Sequence, residues 1–348
     1  MNEHIESLGE FDNHKLVSFV FDKKTKLEAY IAIHRGSLTT PSFGATRIAR
    51  YEDKEDALKD ALRLSRLMSY KAAMAGLDYG GGKGVILLPE NISDADRAKV
   101  IASYCEAVNY YGGHFVTGAD VGITDDDMKV MNSSSEYIVG VTSNPVLYTA
   151  QGIFKAIEFS VQFKFGDKDL SQRSFAIQGV GKIGTALLEQ LYGKVSKIYI
   201  TDVNPDRLKQ VKEQYPDVEV VSPSAIYKQD VDVFSPCALS NSLTSQTITQ
   251  LKSKIVAGGA NNQLQDQSVG ELLHSLGILY APDYVVNSGG FISVVDEYEH
   301  KEFDGARVQT RLNNIVVILK EIFTRSQTAN KATNIIADEM AEEIFNSR

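Results

Sequence analysis

The sequence predicts an α/β protein of two domains, a mixed α/β half followed by a doubly wound parallel sheet of the Rossmann type. Three observations carry this. At 348 residues the chain is about twice the length of a typical domain. From about residue 150 onward, β-like apolar runs alternate with helical ones, and such alternation builds a parallel sheet with helices on both faces. Before that point the texture differs, with short strand-like runs followed by two long helical stretches.

In chain order, "HKLVSFVFD" and "LEAYIAIHRG" read as strands, the second with the apolar run of a buried one. Residues 54–76 read as one helix. Ala57, Leu58, Ala61, Leu62, Ser65, Met68 and Ala72 recur at three- and four-residue steps, and Gly76 stops it. "KGVILLP" reads as a strand, and "SDADRAKVIASYCEAVNYYGG" as a helix with Ser93 as N-cap. In the second half the strands are "SFAIQG", "KIYITD", "EVVS", "VDVFSP", "KIVAGG" and "GILYAP", with helices at "KIGTALLEQLYG" and "PDRLKQVKEQY". The tail is helical: Val308, Leu312, Ile315, Leu319 and Ile322 make one apolar stripe, and Ile335, Met340 and Ile344 another.

A net charge of −9 argues against nucleic acid or an anionic membrane as a general partner. No apolar run reaches membrane-spanning length, and "MNEHIESLGEFDNHK" lacks a signal-peptide core. Cys105 and Cys237 stand far apart, which fits a reducing cytoplasm. Their spacing offers no metal site, and both read as small buried hydrophobes.

Gly179-Val180-Gly181-Lys182-Ile183-Gly184 has the form G-x-G-x-x-G between a strand-like run and a helical one. Gly179 allows the tight turn, Gly181 lets backbone approach a pyrophosphate, and Gly184 lets helix pack on strand. The helix N-terminus offers free N–H groups to the diphosphate. Asp202 follows 18 residues after Gly184, close to the spacing of an acid that binds a ribose 2′-hydroxyl. A carboxylate there repels a 2′-phosphate, so NAD is expected over NADP. The competing reading is a glycine turn with a helix-capping aspartate.

"YGGGKGVILLP" looks at first like a phosphate loop. It lacks the G-x-x-x-x-G-K-[ST] pattern, and it leads into a strand instead of a helix. The glycines flanking Lys83 instead mark a place where a ligand and the backbone approach closely. A lysine in a tight, desolvated site loses basicity, more so with a second cation such as Lys71 nearby, and can then act as a general base. Asp120 is a candidate carboxylate, or an ordinary turn aspartate. Asp125, Asp126 and Asp127 read as the solvated first turn of a helix capped by Thr124.

These stretches together resemble the NAD-dependent amino acid dehydrogenases of the glutamate/leucine/phenylalanine/valine dehydrogenase family, above all its leucine and phenylalanine branch. The most specific pieces are "RLSRLMSYKAAMAGLDYGGGKGVI", "VTGADVGIT", "IQGVGKIG", "VFSPCALSNSLT" and "VAGGANNQL", and the likeness runs nearly end to end. The resemblance implies a substrate and oligomerisation domain over 1–147 plus 325–348, with the last helices returning to it, and an NAD domain over 148–324. A cleft between the domains would hold the chemistry. It implies that Lys71 binds the substrate α-carboxylate, that Lys83 is the catalytic lysine, and that Asp120 exchanges protons with the amino group. Thr149, Ala238 and Asn262 would join the glycine loop at the cofactor, and Phe43, Gly44, Gly118, Phe291 and Val294 would line the side-chain pocket. The activity implied is reversible oxidative deamination of an apolar L-amino acid to its 2-oxo acid and ammonia, by a homo-oligomer.

Some positions depart from the family's pattern. Leucine-type pockets have smaller aliphatic residues at Phe43 and Phe291 and alanine at Gly118, where glycine resembles the aromatic-using branch. Ser240 stands where glycine is expected, and Gly84 is unusual. A 2-hydroxy acid dehydrogenase would need a histidine beside an arginine clamp, which the sequence does not offer. The alternative that stays open is a catalytically drifted NAD-binding regulatory protein of the same fold.

Overall fold

The computed structural model describes residues 2–36, 40–88, 92–238, 240–300 and 303–347. The chain divides into two compact units, 1–143 with 297–301, and 144–296 with 302–348.

The first unit contains α1 (Asn2–Glu6), β1 (Leu16–Asp22), β2 (Leu27–Ile33), β3 (Ser42–Phe43), β4 (Thr46–Ala49), α2 (Lys54–Met74), β5 (Gly80–Leu87), α3 (Asp94–Tyr110), β6 (Phe115–Val116) and α4 (Asp125–Ser134). Among the described residues its sheet runs β1-β2-β5-β3-β6, with β4 also on β5. The β1–β2 and β2–β5 pairs are antiparallel, whereas β3 and β4 lie parallel to β5. Strand alternation sends opposite faces of β5 to different helices. Val85 packs with Ala57, Leu58, Ala61 and Leu62 of α2, while Ile86 packs with Ile101, Tyr104 and Phe115 on the α3 side.

The strand β5 begins at Gly80, ahead of the lysine, because its glycines are themselves ladder residues. A Cβ at Gly81 would overlap the Ser69 backbone of α2, and one at Gly82 would come within 2.7 Å of the Phe115 ring. This corrects the expectation that these glycines clear space for a ligand. Here they let a helix and an aromatic ring close onto the strand. The acidic cluster is also corrected in part. Thr124 caps α4 in a capping box with Asp127, but Asp127 is buried and ion-paired with Arg97 at 2.6 Å. Only Asp125 and Asp126 are solvated.

The second unit contains α5 (Pro145–Phe165), β7 (Ser174–Gln178), α6 (Lys182–Leu191), β8 (Lys197–Thr201), α7 (Pro205–Gln214), β9 (Glu219–Val220), β10 (Val233–Pro236), α8 (Ser245–Ile248), β11 (Ile255–Val256), α9 (Gln267–Ser275), β12 (Leu279–Tyr280), α10 (Asp283–Val286), α11 (Gly289–His300), α12 (Gly305–Ala329) and α13 (Thr333–Asn346). The last residues of α11, from Glu297, group with the first unit. Among the described residues its strand pairs are all parallel, in the order β9-β8-β7-β10-β11-β12. In order of occurrence that is 3-2-1-4-5-6, the doubly wound order, with its switch point between β7 and β10.

The sequence reading does not assign α5, whose Asn144 cap, Pro145 in the first turn and left-handed Gly166 (φ 88°) mark both ends. This helix decides where the tail goes. The α12 stripe of Val308, Leu312, Ile315, Leu319 and Ile322 is buried as expected, and Phe323 stacks on Phe159 and lies tilted against Phe163 of α5, with ring centroids 5.9 and 5.0 Å away. Helix α13 is tied by Thr333 to the Tyr280 carbonyl (2.7 Å) and by Asp338 to the Tyr284 hydroxyl (2.8 Å). Residues 325–348 therefore belong to the second unit, contrary to the boundary expected from sequence. In α13 the buried face is Ile336, Ala337, Met340 and Ala341, with Ile335 and Ile344 only partly covered.

Candidate active site

Lys83 sits in the middle of β5, opposite Ala32 of β2, and its side chain is 5% exposed. Its Nζ donates to Asp120 Oδ2 at 2.6 Å. The carboxylate reaches it from the loop after β6, where Asp120 N–H donates to the Thr46 carbonyl at 3.1 Å and Gly122 turns the chain at φ 85°. Arg47 of β4 donates to the same Oδ2 through Nε at 3.1 Å, and through Nη1 to Asp60 of α2 at 2.8 Å. Asp60 also accepts from Tyr51 at 2.8 Å and from Arg63 at 2.7 Å. Two cations thus share one carboxylate, and a second carboxylate stands behind the arginine.

Burial pushes the Lys83 ammonium below the ordinary lysine range; Asp120 opposes that shift, and the Arg47 charge adds to it. Burial alone would raise the Asp120 carboxyl, but Lys83 and Arg47 outweigh it and hold Asp120 well below the usual carboxylate range. The site therefore offers a lysine that loses its proton readily beside a carboxylate that stays ionised.

Lys71 lies partly buried in the last turn of α2. Phe43, Gly44 and Gly118 fall in the strip next to Lys83. Phe43 pairs with Gly81 and Val116, Gly44 N–H donates to the Val116 carbonyl, and Gly118 accepts from Thr46 N–H. Phe43 is fully buried, edge-on to Tyr79 and Tyr298 with centroids 4.7 and 5.0 Å away. A Cβ at Gly118 would come within 2.8 Å of the Val139 carbonyl, so backbone packing favours glycine there. In the second unit Phe291 (buried) and Val294 (partly buried) stand on α11.

The glycine loop leaves β7 and opens α6, with Gly181 as its N-cap and Lys182 and Ile183 in its first turn. Gly179 has φ 91° and packs against Ala238, which follows β10 across the switch point. Gly184 leaves room for the Gly179 carbonyl, and Gly181 faces open space. The residues present fit a dinucleotide: an uncovered N-terminus at a helix start, with backbone approach unobstructed at Gly181. Asp202, just beyond β8, accepts from Val180 N–H (3.0 Å) and Asn204 N–H (2.9 Å) and pairs with Arg207 at 3.1 Å. Thr149 accepts from Gly290 N–H at 3.0 Å. Asn262 has φ 50°, and its carbonyl accepts from Asn241 N–H at 2.7 Å. In that turn Asn241 (φ 57°) takes the left-handed conformation, and Ser240 is an exposed neighbour that needs no glycine backbone. Gly84 is required, since a Cβ there would meet the Tyr104 hydroxyl. Cys105 is buried, which pushes its thiol up to about 12, and Cys237 is partly buried; neither is in a disulfide. Among the described residues no helix is long and apolar enough to cross a membrane.

Arg47 and Asp60 were given no role by the sequence reading. Arg47 stands in the run "SFGATRI" before α2, and Asp60 lies among the polar positions of α2; only the fold joins them to Asp120.

Comparison with known proteins places the chain in a family. Residues 16–137 match the family described as Glu/Leu/Phe/Val dehydrogenase, dimerisation domain, and residues 194–343 match Glutamate/Leucine/Phenylalanine/Valine dehydrogenase. The chain is 40% identical to an L-tryptophan dehydrogenase of Nostoc punctiforme over 96% of its length and 94% of the relative's. It is 35% identical to a leucine dehydrogenase of Bacillus cereus, covering 98% and 93% of the two chains. With a phenylalanine dehydrogenase of Lysinibacillus sphaericus the identity is 37%, covering 90% and 84%. The crystal structure of the Nostoc punctiforme L-tryptophan dehydrogenase superposes with a TM-score of 0.83 at 38% identity, over the whole of both chains. The chain therefore belongs to the Glu/Leu/Phe/Val dehydrogenase family of amino acid dehydrogenases.

Proposed function

We propose that the protein catalyses the NAD-dependent, reversible oxidative deamination of an apolar L-amino acid, branched-chain or aromatic, to its 2-oxo acid and ammonia. The observation that carries this reading is the buried Lys83–Asp120 contact at 2.6 Å, in a chain whose relatives are named for tryptophan, leucine and phenylalanine. Lys71 binds the substrate α-carboxylate, and Phe43, Gly44, Gly118, Phe291 and Val294 surround its side chain. Bound NAD supplies the acceptor for the hydride that leaves Cα. The 179–184 loop with Ala238 would hold its diphosphate and Asp202 its adenine ribose, with Thr149 and Asn262 serving its nicotinamide half. NAD is the preferred form because Asp202 repels a 2′-phosphate, an effect that Arg207 moderates.

The loss of hydride leaves an iminium at Cα. Neutral Lys83 takes a proton from the water that attacks this carbon. The resulting Lys83 ammonium stays paired with Asp120, and in the reverse direction it polarises the carbonyl of the 2-oxo acid. While Lys83 is neutral, Asp120 takes a proton from the substrate ammonium before hydride loss and returns it to the nitrogen of the carbinolamine; the C–N bond then breaks, and the departing ammonia carries off the hydroxyl proton as ammonium, leaving the 2-oxo acid. We further propose a homo-oligomer acting in the cytoplasm.

The test is NADH formation by the purified full-length protein with NAD and a panel of L-amino acids that includes leucine, valine, phenylalanine, tryptophan and glutamate, at alkaline pH. Turnover of one or more apolar members is expected, with glutamate inert. Silence across the panel with NAD still bound would replace this reading with the non-catalytic, regulatory one.

A further inference from the structure

The Lys83–Asp120 contact leaves a charge to be explained. Asp120 Oδ2 receives two cationic donors, Lys83 Nζ at 2.6 Å and Arg47 Nε at 3.1 Å. Arg47 is no surface residue swinging in from solvent: its side chain is 18% exposed, and its other end is fixed to Asp60 at 2.8 Å. Asp60 is itself held by Tyr51 and Arg63. The backbone reinforces the link. Thr46, one residue before Arg47, accepts from Asp120 N–H and pairs in register with Gly84, one residue after Lys83. One two-residue step of β4 therefore holds Asp120 by main chain and by side chain, next to the lysine.

We propose that Arg47 is a positioning residue for the reaction: strapped to Asp60 of α2, its guanidinium fixes the Asp120 carboxylate against Lys83 and stays as that carboxylate's counter-charge when Lys83 gives up its proton. This rests on the reading of Lys83 as the base. The charge arithmetic shows why a second cation is useful. With Lys83 protonated, the Lys83–Asp120–Arg47 group carries one net positive charge, and deprotonation makes it neutral. Without Arg47 the same step would leave Asp120 as an uncompensated buried carboxylate, which opposes loss of the proton. Among the described residues, the charges that act most on the Lys83 proton are Asp120 from the loop after β6, Arg47 from β4 and Asp60 from α2, with Arg63 behind Asp60. Asp60 favours the protonated lysine and Arg47 disfavours it, so the two partners of the strap act on the proton with opposite sign while serving the same geometry.

That opposition gives the test. Full-length Arg47→Gln, Arg47→Lys, Asp60→Asn and Lys83→Ala are compared with the parent by the pH profile of kcat/KM for oxidative deamination of the best substrate, by kcat, by NAD affinity and by thermal melting. Arg47→Gln is expected to move the alkaline rise of kcat/KM upward by about one pH unit, a tenfold loss on that limb, and to lower kcat with NAD affinity kept. Arg47→Lys restores the position of the limb but not the full kcat, since a lysine cannot bridge two carboxylates in the same fork geometry. Asp60→Asn lowers kcat without the upward shift. A parental pH profile and kcat in Arg47→Gln, with Lys83→Ala inactive, overturns this inference and leaves the proposed base standing. Normal turnover in Lys83→Ala overturns both. If Arg47→Gln does not fold, Asp60→Asn decides: a parental kcat there overturns the strap.

Discussion

Replacing Gly84 with alanine puts a methyl group into the contact between β5 and α3. The added Cβ would lie 3.0 Å from Tyr104 Cζ and 2.9 Å from Thr46 Oγ1, and closer still to the Tyr104 hydroxyl, where ordinary contact begins at 3.4 Å. Tyr104 cannot move away freely. It is fully buried, and its hydroxyl is held by Thr46 Oγ1 at 2.9 Å, which in turn meets Thr117 Oγ1 at 2.9 Å. Overpacking of this kind costs about 1–3 kcal/mol. The backbone at Gly84 is not left-handed, so alanine recovers about 0.4–1 kcal/mol through the unfolded chain. The net expectation is a loss of about 1–2 kcal/mol, read as a melting temperature lower by about 2–8 °C. Tyr104→Phe removes the atom in the way. Alone it costs about 0.5–1.5 kcal/mol for the lost hydrogen bond. Combined with Gly84→Ala it is expected to cost less than the sum by about 1 kcal/mol, because the ring carbon still crowds the new methyl but the hydroxyl does not. Urea unfolding of the four proteins measures this cycle. A Gly84→Ala variant as stable as the parent, or strictly additive losses, would refute the reasoning that Tyr104 makes glycine necessary here.

Other outcomes follow from the site. Lys83→Ala is expected to lower turnover by about 10²–10⁴-fold, with NAD binding by fluorescence titration retained; near-parental turnover removes Lys83 from the chemistry. Turnover in the deamination direction rises with pH as Lys83 loses its proton, and since burial lowers that proton's affinity, the rise is expected below the ordinary lysine pKa of about 10.4. A profile that rises only above it contradicts the burial argument. Asp202→Ala is expected to weaken NAD and narrow its advantage over NADP, while Arg207→Ala widens that advantage; steady-state KM values for both cofactors check the two signs. Thr124→Ala removes the capping box of α4 and is expected to cost about 1 kcal/mol, measured by urea unfolding, with kcat unchanged.

Local pattern made much of this legible. The period of α2, the Ser93 and Thr124 caps and the apolar stripe of α12 depend on neighbours three or four residues apart, and the structure places them as expected. The glycine loop was readable because its turn, helix start and strand-end aspartate occupy one short βαβ stretch. The glycine setting marks Lys83 as a candidate base and leaves Asp120 either a carboxylate of the site or a turn aspartate; the resemblance supplies their roles, and their 2.6 Å contact joins residues 37 positions apart.

What the sequence determined by itself was therefore the periodic and contiguous part: element types, the glycine loop with its helix start, and the class of chemistry its motifs carry. The tertiary structure decided the rest. It turned the glycines of β5 from ligand clearance into packing against Ser69 and Phe115, tied the tail to α5 and α9, buried Asp127 on Arg97, and brought Arg47 and Asp60 behind Asp120. These contacts join distant parts of the chain, and whether a glycine faces a ligand or a ring, or a charge meets water or a partner, depends on how the elements pack and not on the residues beside it in sequence.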